Sequence, residues 1–148
     1  MSVSIVGNFK MLEQLSDTLV ALGNKGVFVG IPEEQNKPVE DQPQFNLASL
    51  AAVLEFGNEH IPERPFLRKT LIDNQEKYVQ LFAELFQKGL PIETIYKQIA
   101  LVAQGDVQQN MVEGNWTPNA PSTIKRKGSS KPLIDTGKLR QSITGVVK

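Results

Sequence analysis

At 148 residues, with 40% hydrophobic and 22% charged residues, the chain has the size and composition of one globular domain. It contains no cysteine, which excludes disulfide frameworks and thiolate metal sites and fits a reducing compartment such as a cytoplasm. No run of about 18 apolar residues and no charged-then-apolar leader occurs, so neither a membrane span nor a signal peptide is expected. The formal net charge is zero but unevenly spread: residues 1–114 carry nine Lys/Arg against fifteen Asp/Glu, and residues 115–148 carry seven against one. Such a basic end can pack on its own acidic body, meet the acidic face of a neighbouring subunit, or contact nucleic acid. Seven cations without interleaved aromatics make a weak footprint for the last.

Taken in order, Ser2 to Val6 reads as a short strand ended by Gly7. Asn8 can cap a helix from Phe9 to Leu22, whose leucines at 12, 15, 19 and 22 recur at helical spacing before Gly23 and Asn24 stop it. Val27 to Ile31 is a nearly continuous apolar strand. From Pro32 to Pro43 three prolines and four carboxylates erase any periodicity, which predicts a flexible surface loop over 32–45, either solvated or used as a contact arm. Asn46 is placed to cap a helix running through Leu47, Leu50, Ala51 and Leu54, and Gly57 stands where a left-handed terminal residue is wanted.

Ile61 to Pro65 is a rigid connector, since its two prolines fix their own φ and restrict the residue before each. Arg64 projects from that stiff base, and Glu55, Glu59 or Glu63 can receive its guanidinium. One long helix is predicted from Pro65 to about Lys88, with Leu67, Leu71, Tyr78, Phe82 and Leu85 on one face and Ile72, Val79 and Phe86 widening it. At 1.5 Å per residue it would span roughly 35 Å. Gly89-Leu90-Pro91 turns the chain into a second helix ending near Glu113, with Ile92, Ile95, Ile99, Val102 and Met111 inward. So short a link makes the two helices antiparallel. Gly105 inside the second helix costs about 1 kcal/mol relative to alanine and predicts a bend or a close backbone contact.

The last stretch, 115–148, holds the only tryptophan, Trp116, and apolar residues among turn-formers, a composition unlike a disordered tail. Two prolines bar helix at 117–121 and Ser122 can cap a short turn over Thr123 to Lys127. Asp135 or Thr136 can cap another over Gly137 to Gln141, and Ser142 to Val147 reads as a final strand.

Two blocks carry a resemblance. The first is Leu50-Ala51-Ala52-Val53-Leu54-Glu55-Phe56-Gly57 followed by Ile61-Pro62-Glu63-Arg64-Pro65-Phe66-Leu67-Arg68. The second is Trp116, a Pro/Ser/Thr-rich turn, then TIKRKGSSKPLIDTGKLRQSI. Together they cover about a third of the chain and resemble the bacteriophage virion-morphogenesis family of neck and tail-completion proteins, to which the lambda minor tail protein Z is related. The resemblance implies a structural virion protein that forms a ring at the head-tail junction. Its partners would be copies of itself, the connector, tail-terminator or tail-tube proteins, and DNA passing through the lumen without sequence-specific binding. Such a protein is assembled in the host cytoplasm and ends in the virion, with no membrane, cofactor or enzymatic activity. The candidate interface residues are Glu55, Arg64, Phe66 and Arg68 in the first block. In the second they are Trp116, Lys125, Arg126, Lys127, Asp135, Lys138 and Arg140.

Catalytic patterns are thin. His60 is the only histidine, so no HExxH or HxxxH pair can form, and no GxSxG elbow exists. Leu133-Ile134-Asp135-Thr136-Gly137 resembles the active-site turn of retroviral-type aspartic proteases, in which two copies pair their carboxylates. Against it, Lys138 stands where a small residue is expected, and the chain is mostly helical and lacks a glycine-rich flap. A DTG-type protease and a small nucleic-acid-binding assembly factor are the alternative readings. The expected fold is α+β: one domain over 1–148, a small, mostly antiparallel sheet packed against a long helical hairpin plus shorter helices, and a C-terminal docking segment.

Overall fold

A computed structural model describes residues 9–39, 42–116 and 137–148. The expected strand at Ser2–Val6, the turn over 123–127 and the caps at Asp135 and Thr136 lie outside the described residues. The chain is α+β, and its centre is a 22-residue helix.

The first helix, α1, runs Phe9–Asn24, and strand β1 follows at Val27–Gly30. Leu22 packs into the core, while Leu19, expected beside it, is largely exposed. The proline-rich stretch expected as a loop is partly ordered by backbone pairing. A single 3-10 turn, Glu33–Gln35, leads into a two-stranded antiparallel hairpin, β2 Pro38–Val39 with β3 Gln42–Asn46. Pro38 is tolerated because this small sheet is all edge. The hairpin is tied to α2, Leu47–Phe56, whose first free N–H groups meet two asparagine side chains: Ser49 donates to Asn46 Oδ1 at 2.8 Å and Ala48 donates to Asn36 Oδ1 at 2.9 Å.

The single helix expected from Pro65 to Lys88 is two. α3 spans Phe66–Asp73 and α4 spans Gln75–Gln87, broken at Asn74, whose φ of −104° and ψ of 8° leave the helical region. The cause is local competition for backbone carbonyls. The Thr70 hydroxyl donates to Phe66 O at 2.6 Å, a back-bond that bends helices, and Asn74 Nδ2 donates to Thr70 O at 2.8 Å. Gly89, at φ +79°, turns the chain through Pro91 into α5, Ile92–Glu113.

Helix α5 is the hub. It touches α1, α3, α4, β1 and two elements at the end of the chain, the short helix α6, Lys138–Ser142, and strand β4, Thr144–Val147. Its buried residues are Ile92, Ile95, Ile99, Ala100, Ala103, Val107 and Met111. Val102, expected inward, is only half-buried, and Val107 with the two alanines takes its place. Two apolar clusters lie along the helix. One joins Leu85, Ile92, Ile95 and Ile99; the other joins Leu47, Ala51, Phe66, Val107, Met111, Leu139 and Ile143.

Strand β4 pairs antiparallel with β1 in the register Val27–Val147 to Gly30–Thr144. It begins at Thr144 instead of Ser142, because Ser142 closes α6 by donating its hydroxyl to Leu139 O at 2.6 Å. The sheet lies directly on α5. A Cβ at Gly145 would sit 2.2 Å from Ala100 O, and the Gly145 N–H donates to Gln104 Oε1 at 3.0 Å. Only glycine allows so close an approach. Among the described residues no helix is long and apolar enough to cross a membrane.

Candidate functional site

The first sequence block folds into a clamp between α2 and α3. Glu55, in the last turn of α2, is 3% exposed and points at the N-terminus of α3. Its Oε2 accepts the Leu67 N–H and its Oε1 accepts the Arg68 N–H, both at 2.9 Å. The carboxylate therefore caps α3 from another helix and sets a negative charge against the positive end of the α3 dipole. The Arg68 side chain closes the other side. Its Nε donates to Glu55 Oε1 and its Nη2 to Glu55 O, both at 2.9 Å, while Nη2 also lies 3.3 Å from Glu63 Oε1. The guanidinium sits over the Phe56 ring, 4.6 Å from its centroid.

The turn between the helices makes this possible. Gly57 at φ +69° is the C-terminal residue of α2, and a Cβ there would come within 2.8 Å of Glu63 N and Ile61 O. Asn58 Oδ1 accepts the N–H groups of His60 and Ile61, and the Arg64 N–H donates to Leu54 O at 2.7 Å. His60 is exposed in this turn.

The sequence-predicted site residues divide by burial. Glu55, Arg64 and Phe66 are inside, with Phe66 fully buried in the core beside Ala51 and Leu139. Burial lowers the Arg64 guanidinium from its ordinary pKa. Arg68, not Arg64, makes the ion pairs with Glu55 and Glu63. Trp116 packs against the same core and donates its ring N–H to Asn110 O at 2.9 Å. Lys138 and Arg140 are exposed on α6. Lys125, Arg126, Lys127 and Asp135 lie outside the described residues.

Beyond the clamp, four large apolar side chains on α2, α3 and α4 face solvent. Phe56 under Arg68 is 63% exposed, Ile72 one turn after Arg68 is 68% exposed, and Val79 and Phe86 continue at seven-residue spacing. Phe86 is propped by Phe82, with ring centroids 6.0 Å apart, and Phe82 leans on Tyr96 of α5. Ile72, Val79 and Phe86 were expected to widen a buried face; all three are exposed.

Sequence reasoning missed one polar group. Between α3, α4 and α5 lies a cleft of about 300 Å³ lined by Asp73, Asn74, Lys77, Asp106, Asn110 and Glu113 among others. Asp106 accepts from Lys77 Nζ at 2.7 and 2.8 Å and from the Tyr78 hydroxyl at 2.7 Å. Burial and the bond to Asp106 push the Tyr78 phenol above its ordinary range. Both Asp106 oxygens are thus occupied, and the group ties α4 to α5. The only signal for it in the sequence is an acid set inside the apolar spacing of α5. No group of three or more metal-ligating side chains occurs among the described residues. No protein-family model, curated protein or solved structure matches the chain.

Proposed function

We propose that this chain is a structural virion protein of a tailed bacteriophage, a subunit that assembles with copies of itself into a ring at the head-tail junction. One observation carries the reading beyond the two sequence motifs themselves. Those blocks, the first ending at Arg68 and the second beginning at Trp116, meet in a single core, where Leu47, Ala51 and Phe66 of the first region pack with Leu139 and Ile143 of the second. The first block is also one mechanical unit, with Gly57, the Glu55 carboxylate and Arg68 fixing the angle between α2 and α3. A subunit whose contacts must repeat around a closed ring needs such fixed angles. The exposed Phe56, Ile72, Val79 and Phe86 supply apolar surface for the next copy, and Arg68 over Phe56 combines two residue types enriched at interfaces.

Negative-stain microscopy and mass photometry of the purified protein test this. The expected result is closed rings with a central channel, and their loss in Val79→Glu with the fold intact. Wild-type protein that forms no ring, or a peptidase activity that disappears in Asp135→Asn, would overturn the reading.

A further inference from the structure

The outer face of α5 carries a feature that the fold leaves unused. Gly105 sits in the middle of this 22-residue helix, where glycine costs about 1 kcal/mol relative to alanine. Two other glycines show what such a residue can be for: positive φ at Gly57, close packing at Gly145. Gly105 has neither, because its φ is not positive, a Cβ there would meet nothing within 4 Å, and α5 runs through it unbroken. One turn earlier, Leu101 is 67% exposed. A bare notch therefore lies beside a bare knob.

The surrounding positions extend the pattern. Thr94, Gln98, Leu101, Gly105, Gln108 and Val112 follow alternating four- and three-residue steps, the spacing of a helix-pairing seam. None of the six is charged. Asp106 is turned inward to Lys77 and Tyr78. The six are also symmetric about position 103. Laid antiparallel on a second copy, Thr94 meets Val112, Gln98 meets Gln108, and Leu101 meets Gly105, twice over. A parallel pairing would instead set Leu101 against Leu101 and leave two glycines facing a void.

We infer that the outer face of α5 is a two-fold self-association surface, in which Leu101 of each copy enters the notch at Gly105 of the other. The occupant is a second copy because knob and notch are complementary within one helix, and an uncharged strip meets itself without repulsion. Gln108 Nε2 is held by Arg140 O and Ile143 O, which leaves its Oε1 as an acceptor for Gln98 of the other copy. The strip is about 27 Å long and offers six positions where a standard interface uses about 20–30 residues a side, so the pairing is weak and reversible. It closes on itself, adds no third copy, and does not rest on the ring proposal.

Sedimentation velocity over roughly 1 to 300 µM protein reads it directly. The expected result is a monomer–dimer equilibrium that Leu101→Glu weakens by about tenfold or more, with the circular dichroism unchanged. Gly105→Gln should raise the melting midpoint of the monomer while weakening the dimer, opposite signs that general destabilisation cannot give. Because the chain has no cysteine, Leu101→Cys mixed with Gly105→Cys should form the disulfide-linked pair faster than either variant alone. Protein that is monomeric at every concentration, a dimer indifferent to both substitutions, or faster coupling of Gly105→Cys with itself would overturn the inference. Rings that persist in Leu101→Glu alongside an unchanged dimer would sink this pairing and leave the virion reading standing.

Discussion

Glu55 takes its importance from what it leaves satisfied. Two backbone N–H groups, one guanidinium and the start of α3 depend on a carboxylate that is almost wholly out of water. Glu55→Ala would leave the Leu67 and Arg68 N–H groups without their acceptor at a helix end, and the expected loss is about 2–3 kcal/mol of folding stability, measured by urea unfolding. Tyr78 gives a pH test. Its folded phenol titrates above the ordinary range, so the folded state keeps a proton that the unfolded state releases near pH 10. The stability it contributes is full below about pH 10 and falls as pH rises beyond it. The melting midpoint should therefore drop between roughly pH 10 and 11, and drop less in Tyr78→Phe. At this scale the sequence was half legible. Glu55 and an arginine were readable as a pair because acid and base flank a rigid Pro-containing turn. That the partner is Arg68 was not, since Arg64 lies before α3 begins and only Arg68 offers both its N–H and its side chain within the first turn.

Two glycines of neighbouring elements set a contrast at the scale of helix and strand. Gly105 stands in open space, so Gly105→Ala should stabilise the monomer by about 0.5–1 kcal/mol. Gly145 lies against the Ala100 carbonyl, and the extra methyl of Gly145→Ala has nowhere to go but into backbone. That variant should lose at least about 2 kcal/mol as β4 is pushed off α5, and thermal unfolding of the pair reads both signs in one experiment. Periodicity found α1, α2, α5 and the two strands of the main sheet, because regular apolar spacing marks each of them. It missed the break between α3 and α4, since apolar spacing runs straight across Asn74 and the cause lies in the side-chain hydroxyl and amide of Thr70 and Asn74. It also missed the hairpin of β2 and β3, whose order comes from Asn36 and Lys37 reaching the start of α2 and not from its own composition.

At the scale of the whole chain, charge is divided unevenly along the sequence, nine Lys/Arg against fifteen Asp/Glu before residue 115 and seven against one from there on. If subunits meet acidic face to basic face, raising salt from about 50 to about 500 mM should reduce the ring fraction, since the screening length shrinks from roughly 14 to roughly 4 Å. Mass photometry at both ionic strengths measures it. The pairing of β1 with β4 has a further consequence, one of timing. Strand β1 is made early, and the described strand it pairs with, residues 144–147, emerges more than a hundred positions later. At roughly 5–20 residues per second, Val27 and Val29 wait on the order of ten seconds on the ribosome before that edge is covered. The nascent chain thus spends most of its synthesis with an unpaired apolar strand, and every prematurely released fragment keeps it, which marks truncated products for chaperone capture or clumping while pairing with residues 144–147 covers that edge in the folded chain.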